Sequence, residues 1–195
     1  IMKISEILLE TEFDDSVVEI LKSKGYKLLG AGADQMAFLE PGTGKVLKIF
    51  GTDGKAKGER FSKDHKMFFT WAKFCMKNKN NKYLVKFDGY DSFVIRGLNY
   101  IQLRQEKLSQ NYRITEHAVN VSNAIIYGVD VIRNNSDEYL ISLLGEKEYK
   151  IFYDTLSTVI KLGIQKEYDI DLHVDNFMTR GNTPVIVDPW SVDYW

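Results

Sequence analysis

The stretch Tyr168-Asp-Ile-Asp-Leu-His-Val-Asp-Asn176, closed after a short hairpin-like run by Val187-Asp188-Pro189, decides how this chain is read. It sets Asp171 and Asn176 five residues apart, with Asp188 twelve further on. Two oxygen-bearing side chains near a strand end can share a hard cation such as Mg²⁺, and a third carboxylate can orient or deprotonate a hydroxyl. The order and spacing suit a site that holds a divalent cation and a hydroxyl against a nucleotide phosphate. Taken singly, each residue has a plainer use: Asp caps a turn or ends a strand, and Asn sits in a loop. His173 falls between Asp171 and Asn176, but with three histidines and no Cys/His cluster the sequence gives no case for zinc.

The bulk properties narrow the classes. At 195 residues the chain is long enough for one ordinary domain or a small two-lobed one. Hydrophobic residues make up 44% and charged residues 27%, so a filled core is expected rather than disorder. A net charge of −1 offers no electrostatic argument for a nucleic-acid or acidic-lipid partner. The basic run from Lys55 to Lys66 is offset by Glu59 and Asp64 and reads as a solvated helix start. Cys75, the single cysteine, has no internal disulfide partner and fits a reducing cytosol. Among Trp71, Phe74 and Met76 it reads as a packing residue. No apolar run approaches a membrane span, and the first residues lack a signal-peptide core. A soluble, cytoplasmic protein with neither nucleic-acid nor membrane partners is expected.

Patterning along the chain predicts an α+β order. Residues 14–24 carry acids first and lysines last, with Gly25 beyond, the polarity of a helix. Strands are expected at Tyr26 to Gly30, Met36 to Glu40 and Lys45 to Phe50, the last two joined by the turn Pro41-Gly-Thr-Gly44. From Gly58 to Lys77, Phe61, His65, Phe68, Phe69, Ala72, Cys75 and Met76 recur at helical spacing. Two more strands are expected, Leu84 to Ile95 with a break at Asp88-Gly89, and Tyr100 to Gln105. The rest reads as helices over about 115–127, 138–144 and 149–166, then short strands around the opening motif. Strands with one helix first and helices later make an α+β chain of two unequal lobes.

Three further features bear on chemistry. Leu29-Gly-Ala-Gly32 places paired glycines before a strand, where backbone N–H groups can approach phosphate oxygens. A tight turn is the bland reading; a Rossmann site, which needs a helix next, is disfavoured, and Gly42-Thr-Gly-Lys45 fails the P-loop spacing. Val46-Leu-Lys48-Ile-Phe50 puts a lysine among apolar residues on a strand, where it is either exposed or held by a partner or ligand. Its acid partner is sought on the following helix. Asp64, four residues before Phe68, borders the apolar stripe, whereas Glu59 points away and can complement the helix N-terminus.

The ordered set (glycine loop, strand lysine, helix acid, Asp-x₄-Asn, hairpin, Asp) resembles the protein-kinase-like fold. Asp171-Leu-His173-Val-Asp-Asn176 resembles the catalytic loop of the aminoglycoside and choline kinase branch, with histidine where protein kinases carry lysine. Val187-Asp188-Pro189-Trp190 resembles the metal-binding D-F-G segment, and Gln105-Glu-Lys-Leu108 the hinge whose backbone binds adenine. Gly25-Tyr-Lys-Leu-Leu-Gly-Ala-Gly32, Phe74-Cys75, the Asp171 to Asn176 loop and Val187-Asp188-Pro189 together are similar to the small early serine/threonine protein kinases of short-tailed phages. The likeness runs from Gly25 to Ser191. It departs from the pattern at Gln35, where a third loop glycine would stand, and at Asp169, where protein kinases have histidine.

The resemblance implies an antiparallel five-stranded N-lobe sheet with one long helix over residues 1–106, and a reduced helical C-lobe over 107–195. It implies ATP and Mg²⁺ as cofactors. Gly30 and Gly32 would cover the phosphates, Lys48 would hold them with Asp64 as its orienting acid, and Glu106 would belong to the adenine hinge. Asn176 and Asp188 would bind the metal, and Asp171 would be the catalytic residue. The chain ends at Trp195, soon after Asp188, so no activation segment or peptide-binding helices are expected. A minimal phage-type serine/threonine kinase acting in the host cytoplasm is the leading expectation. The alternatives are a kinase-like binding module acting on a host protein, and a kinase for a small-molecule hydroxyl.

Overall fold

The computed structural model describes residues 15–31, 35–51, 59–95, 98–128 and 130–191. For 15, 16, 51, 59–65, 92–95, 98, 99 and 130–134 it describes the backbone alone. These residues form an α+β fold with a five-stranded antiparallel sheet and five α-helices. The chain divides into two compact units, residues 1–66 with 86–107, and residues 67–85 with 108–195.

The first unit opens with α1 (Asp15–Ser23), followed by β1 (Lys27–Ala31), β2 (Met36–Leu39) and β3 (Lys45–Gly51); β4 (Phe87–Ile95) and β5 (Leu98–Glu106) complete its sheet in the order β1-β2-β3-β5-β4. Strand alternation sorts the side chains. Met36, Phe38, Leu47, Ile49 and Tyr100 form a core with Val17, Val18 and Leu21 of α1. The other face carries Val46, Lys48, Phe50, Leu103 and Gln105, all buried except half-buried Lys48. The β2–β3 turn uses Gly42 at φ +74 and Gly44 at φ +66, conformations that side-chain-bearing residues rarely adopt. Just past the end of β2, Glu40 gathers Tyr26 Oη (3.2 Å), Thr43 Oγ1 (2.8 Å) and the Arg104 guanidinium (2.9 Å). The Thr43 hydrogen bond is the chief cause holding its carboxyl below the ordinary value.

Helix α2 (Glu59–Lys77) contributes residues up to Lys66 to the first unit and from Met67 onward to the second. In the second, Met67, Trp71, Ala72 and Cys75 are its buried stripe, and burial pushes the Cys75 thiol well up, away from reactivity. Next come α3 (Tyr112–Tyr127), α4 (Asp130–Leu144) and α5 (Glu146–Gln165). Then follow β6 (Asp169–Ile170), one 3₁₀ turn (Val174–Asn176), the hairpin β7 (Phe177–Arg180) and β8 (Thr183–Ile186), and β9 (Trp190–Ser191).

Three expected boundaries move for a readable local reason, and the last helix, expected over 149–166, runs Glu146–Gln165. The strand expected from Leu84 begins at Phe87 instead. Asn81 Oδ1 accepts from Tyr83 N–H at 3.0 Å, and Leu84 bridges Ile186 in parallel, so Tyr83 to Val85 serve the second unit. The anticipated irregularity at Asp88-Gly89 is a register shift between Phe87 and Gly89. Helix α3 starts at Tyr112 rather than 115, because Asn111 Oδ1 caps it by accepting from Ile114 N–H, and it ends at Gly128 in the left-handed region. The short piece expected at 138–144 is the whole of α4. Its Asn134-Asn-Ser136 run is poor in helix formers, but Ser136 and Leu140 are buried, and packing overrides propensity.

Candidate active site

The opening motif is held by backbone pairing inside the second unit. Strands β6 and β9 pair Asp169 with Ser191 and Ile170 with Trp190. Just beyond them, Asp171 N–H donates to Pro189 C=O at 2.9 Å and Val187 N–H donates to Asn176 C=O at 3.0 Å. Asp188 therefore sits between two anchored neighbours, one tied to each end of the 171–176 loop. The indole N–H of Trp71 donates to Val187 C=O at 2.6 Å from a fully buried position. Both polar groups of the Val187 main chain are thus satisfied in a segment that leaves them no water.

The loop closes on itself. Asn176 N–H donates to His173 C=O at 3.0 Å, and Asn176 Nδ2 donates to Asp171 C=O at 2.6 Å. With its amide nitrogen so committed, Asn176 has its amide oxygen to offer a cation. Gln110 Nε2 donates to Val174 C=O at 3.1 Å. His173 caps the 3₁₀ turn, its Nδ1 accepting from Asp175 N–H at 3.3 Å. An accepting Nδ1 places the ring proton on Nε2, which faces Asp171 Oδ1 at 3.6 Å, beyond hydrogen-bond range but within reach of a small rotation.

A plug beneath the loop fixes its height. Trp190 is 3% exposed, donates its Nε1–H to Val159 C=O at 3.2 Å, and meets Trp71 edge-on at 5.3 Å between ring centroids. It lies over Gly163 of α5, where an added Cβ would sit 2.6 Å from Trp190 Nε1 and 2.6 Å from Ile170 Cδ1. Leu172, 6% exposed, points inward between the two exposed or half-exposed residues of the loop, Asp171 and His173.

The donor set fits Mg²⁺ in kind. Magnesium is commonly held by one or two protein oxygens, with phosphates and water completing its shell. An amide oxygen and a carboxylate, the groups that Asn176 and Asp188 carry, are donors of that kind. Among the described residues no group of three or more His, Cys, Asp or Glu side chains is placed to hold a metal ion.

The remaining predicted residues belong to the first unit. Lys48 stands mid-strand on β3 opposite Ala37 and Leu103. Gly30 follows a register shift in β1, and a Cβ there would meet nothing within 4 Å, so packing does not demand glycine. Glu106 ends β5 with its N–H on Lys86 C=O at 3.0 Å and its carboxylate accepting Lys86 N–H at 2.8 Å. Gly32 lies outside the described residues, and Asp64 and Glu59 lie on α2 with side chains outside them. Trp71, Gln110 and Gly163 were missed from sequence. Only Trp71 carried a signal, a large donor-bearing ring on an apolar helix face, which when buried needs an acceptor. No protein-family model matches the chain, and no curated protein sequence matches it.

Proposed function

We propose that this chain is an ATP- and Mg²⁺-dependent phosphotransferase with a protein-kinase-like fold, acting on an alcohol group. One observation carries the reading: the reciprocal backbone ties that set Asp188 beside the Asp171–Asn176 loop, with the Asn176 amide turned so that its nitrogen serves the loop. An isolated Asp, Asn or Asp needs no such clasp. The antiparallel five-stranded sheet with Lys48 on its third strand supports it.

In this reading the γ-phosphoryl group passes from ATP to the acceptor oxygen, the bond to the β-phosphate breaks and ADP leaves. Asp171 orients the acceptor hydroxyl and receives its proton. Asn176 and Asp188 present oxygens to Mg²⁺, which when bound neutralises phosphate charge. Lys48 pairs with phosphate oxygens, and the Gly30 backbone approaches them without side-chain obstruction. Fixed charges and fixed positions supply most of the rate.

A serine or threonine of a protein is the leading acceptor, by the likeness to phage kinases. The Asp171-Leu-His173 sequence favours a small-molecule hydroxyl as the second reading, by its likeness to the antibiotic kinase loop. Labelled ATP tests both. Transfer to the chain itself or to an added acceptor should disappear in Asp171→Ala and Asp188→Ala, while Asp171→Ala keeps a Mg-ATP-induced rise in Tm. A Mg-ATP shift without transfer to any acceptor would mark a binding module on a host protein instead. Wild-type protein with no shift at all would refute every nucleotide reading.

A further inference from the structure

Main chain anchors the 171–176 loop at its ends, but a side chain, Gln110, holds the start of its 3₁₀ turn. A turn of this kind has poor hydrogen-bond geometry and, at three residues, little length to share it. Extended backbone follows at once, Phe177 lying at φ −114 and ψ 139, so no further helix supports it. Its two end carbonyls are taken from outside. Val187 N–H donates to Asn176 C=O at 3.0 Å, and Gln110 Nε2 donates to Val174 C=O at 3.1 Å. A carbonyl only accepts, so the amide nitrogen of Gln110, not its oxygen, faces the loop. Gln110 is half-buried and stands between fixed neighbours. Ser109 before it exchanges both backbone hydrogen bonds with Thr179 of β7, at 3.0 and 2.7 Å. Asn111 after it caps α3, and Thr115 Oγ1 of that helix lies 3.4 Å from Gln110 Nε2.

We propose that Gln110 is a positioning residue for phosphoryl transfer: by holding Val174 C=O it fixes the turn that sets the Asn176 side chain beside Asp171. The assignment rests on the phosphotransferase reading above and extends it to a side chain with no assigned contact to phosphate, metal or acceptor. The path is short. Gln110 bonds Val174, the turn runs from Val174 to Asn176, and Asn176 Nδ2 returns to Asp171 C=O at 2.6 Å. Releasing Val174 lets the turn shift, while buried Leu172 and the Asp171 N–H bond to Pro189 C=O keep the first half of the loop in place. One lost hydrogen bond costs a fold little, whereas a displacement of about 1 Å at a reacting group can cost about a hundredfold in rate. The effect on rate therefore exceeds the effect on stability, which sets Gln110 apart from a purely structural residue.

The test replaces Gln110 by Met, which keeps its length and loses its donor. Turnover of Mg-ATP by the full chain should fall about tenfold or more in kcat, with KM for ATP within about twofold and Tm within about 3 °C of wild type. The Mg²⁺ concentration giving half the maximal rate should rise about three- to tenfold, because the Asn176 oxygen is less well placed. A second readout needs neither metal nor nucleotide. Amide hydrogen exchange in the unliganded protein should quicken about five- to tenfold at Asn176 N–H, which bonds His173 C=O, while Ile186 N–H, on Tyr83 C=O, keeps its wild-type rate. Should Gln110→Met fail to fold, Gln110→Ala serves in its place. A kcat within about twofold of wild type, or an unchanged exchange rate at Asn176, would overturn the assignment while leaving transfer intact. A fall in kcat matched in both variants by a Tm lower by about 10 °C or more would overturn it too, marking Gln110 as structural alone. Wild-type protein that turns over no Mg-ATP would overturn the phosphotransferase reading itself, and this assignment with it.

Discussion

Gly163→Ala should destabilise this protein, although the same change in most helix interiors does the reverse. Exchanging glycine for alanine inside a helix ordinarily gains about 1 kcal/mol. Here the new Cβ would lie 2.6 Å from Trp190 Nε1, 2.8 Å from Trp190 Cδ1 and 2.6 Å from Ile170 Cδ1. Those separations fall about 1 Å inside the optimum for non-bonded heavy atoms. The Ile170 methyl end can rotate away. Trp190 has no such freedom, since it is 3% exposed, bonded through Nε1–H to Val159 C=O and packed edge-on against Trp71. Shifting the indole forfeits a hydrogen bond worth about 1 kcal/mol and overpacks a filled site at about 1–3 kcal/mol. Against the propensity gain, the net loss is about 1–3 kcal/mol, or a Tm lowered by about 3–10 °C in a chain of this size. Urea unfolding followed by tryptophan emission measures it. Ile164→Ala, on the exposed side of the same helix, should stay within about 0.5 kcal/mol of wild type. A Gly163→Ala protein as stable as wild type, or more so, would refute the claim that Trp190 is wedged against this glycine.

Three other outcomes are expected. Trp71→Phe leaves Val187 C=O without its buried donor, so urea unfolding should show a loss of about 1–3 kcal/mol, and phosphoryl transfer should fall further than the small change at Trp71 suggests because Asp188 is the next residue. Burial, the largest cause, with Arg113 adding to it and Glu116 opposing, lowers the pKa of His117 below its ordinary 6.5. The unfolded chain then takes up a proton that the folded chain resists, so stability present above about pH 6.5 is lost as the pH falls through the lower folded value. Chemical denaturation between pH 7.5 and 5 should show this loss in wild type and a flatter profile in His117→Gln. His173→Asn keeps an acceptor for Asp175 N–H but loses the Nε2–H that faces Asp171; it should leave Tm within about 2 °C and lower kcat while KM for ATP holds, whereas an equal loss in His173→Gln and a collapse of Tm in both would mark a purely structural histidine.

The sheet was legible in the sequence because its signals are local. Alternation around Lys48 and the Pro41-Gly-Thr-Gly44 turn require only neighbours to interpret them, and the strands fall within a residue or two of expectation. The same logic misassigned Leu84. Tyr83, Leu84 and Val85 are apolar enough for any strand, and what removes them from the sheet is the Asn81 turn and a bridge to Ile186, about a hundred residues away in sequence. Helix α4 hid for the opposite reason. Its Asn134-Asn-Ser136 run reads as a loop, and only the burial of Ser136, whose hydroxyl meets His117 Nδ1 at 3.1 Å and Asn120 Nδ2 at 3.2 Å, makes a helix there worthwhile.

The candidate site divides the same way. Asp171, Asn176 and Asp188 were singled out from sequence by residue type and spacing, and the structure brings the segments that carry them together. What holds them could not be, since it is almost wholly main chain: Asp171 N–H to Pro189, Val187 N–H to Asn176, and the Asn176 amide on the Asp171 carbonyl. Backbone donors leave no residue-type signature. The side chains that support the clasp also carry no chemistry of their own, since Trp71 supplies one N–H and Gly163 supplies only space. A consequence separates support from catalysis. Substitution at Gly163 acts on the loop through stability, so its effect on transfer should shrink as temperature is lowered away from Tm. Under the proposed function, substitutions at Asp171 and Asp188 remove groups that phosphoryl transfer would use, and no drop in temperature should restore it.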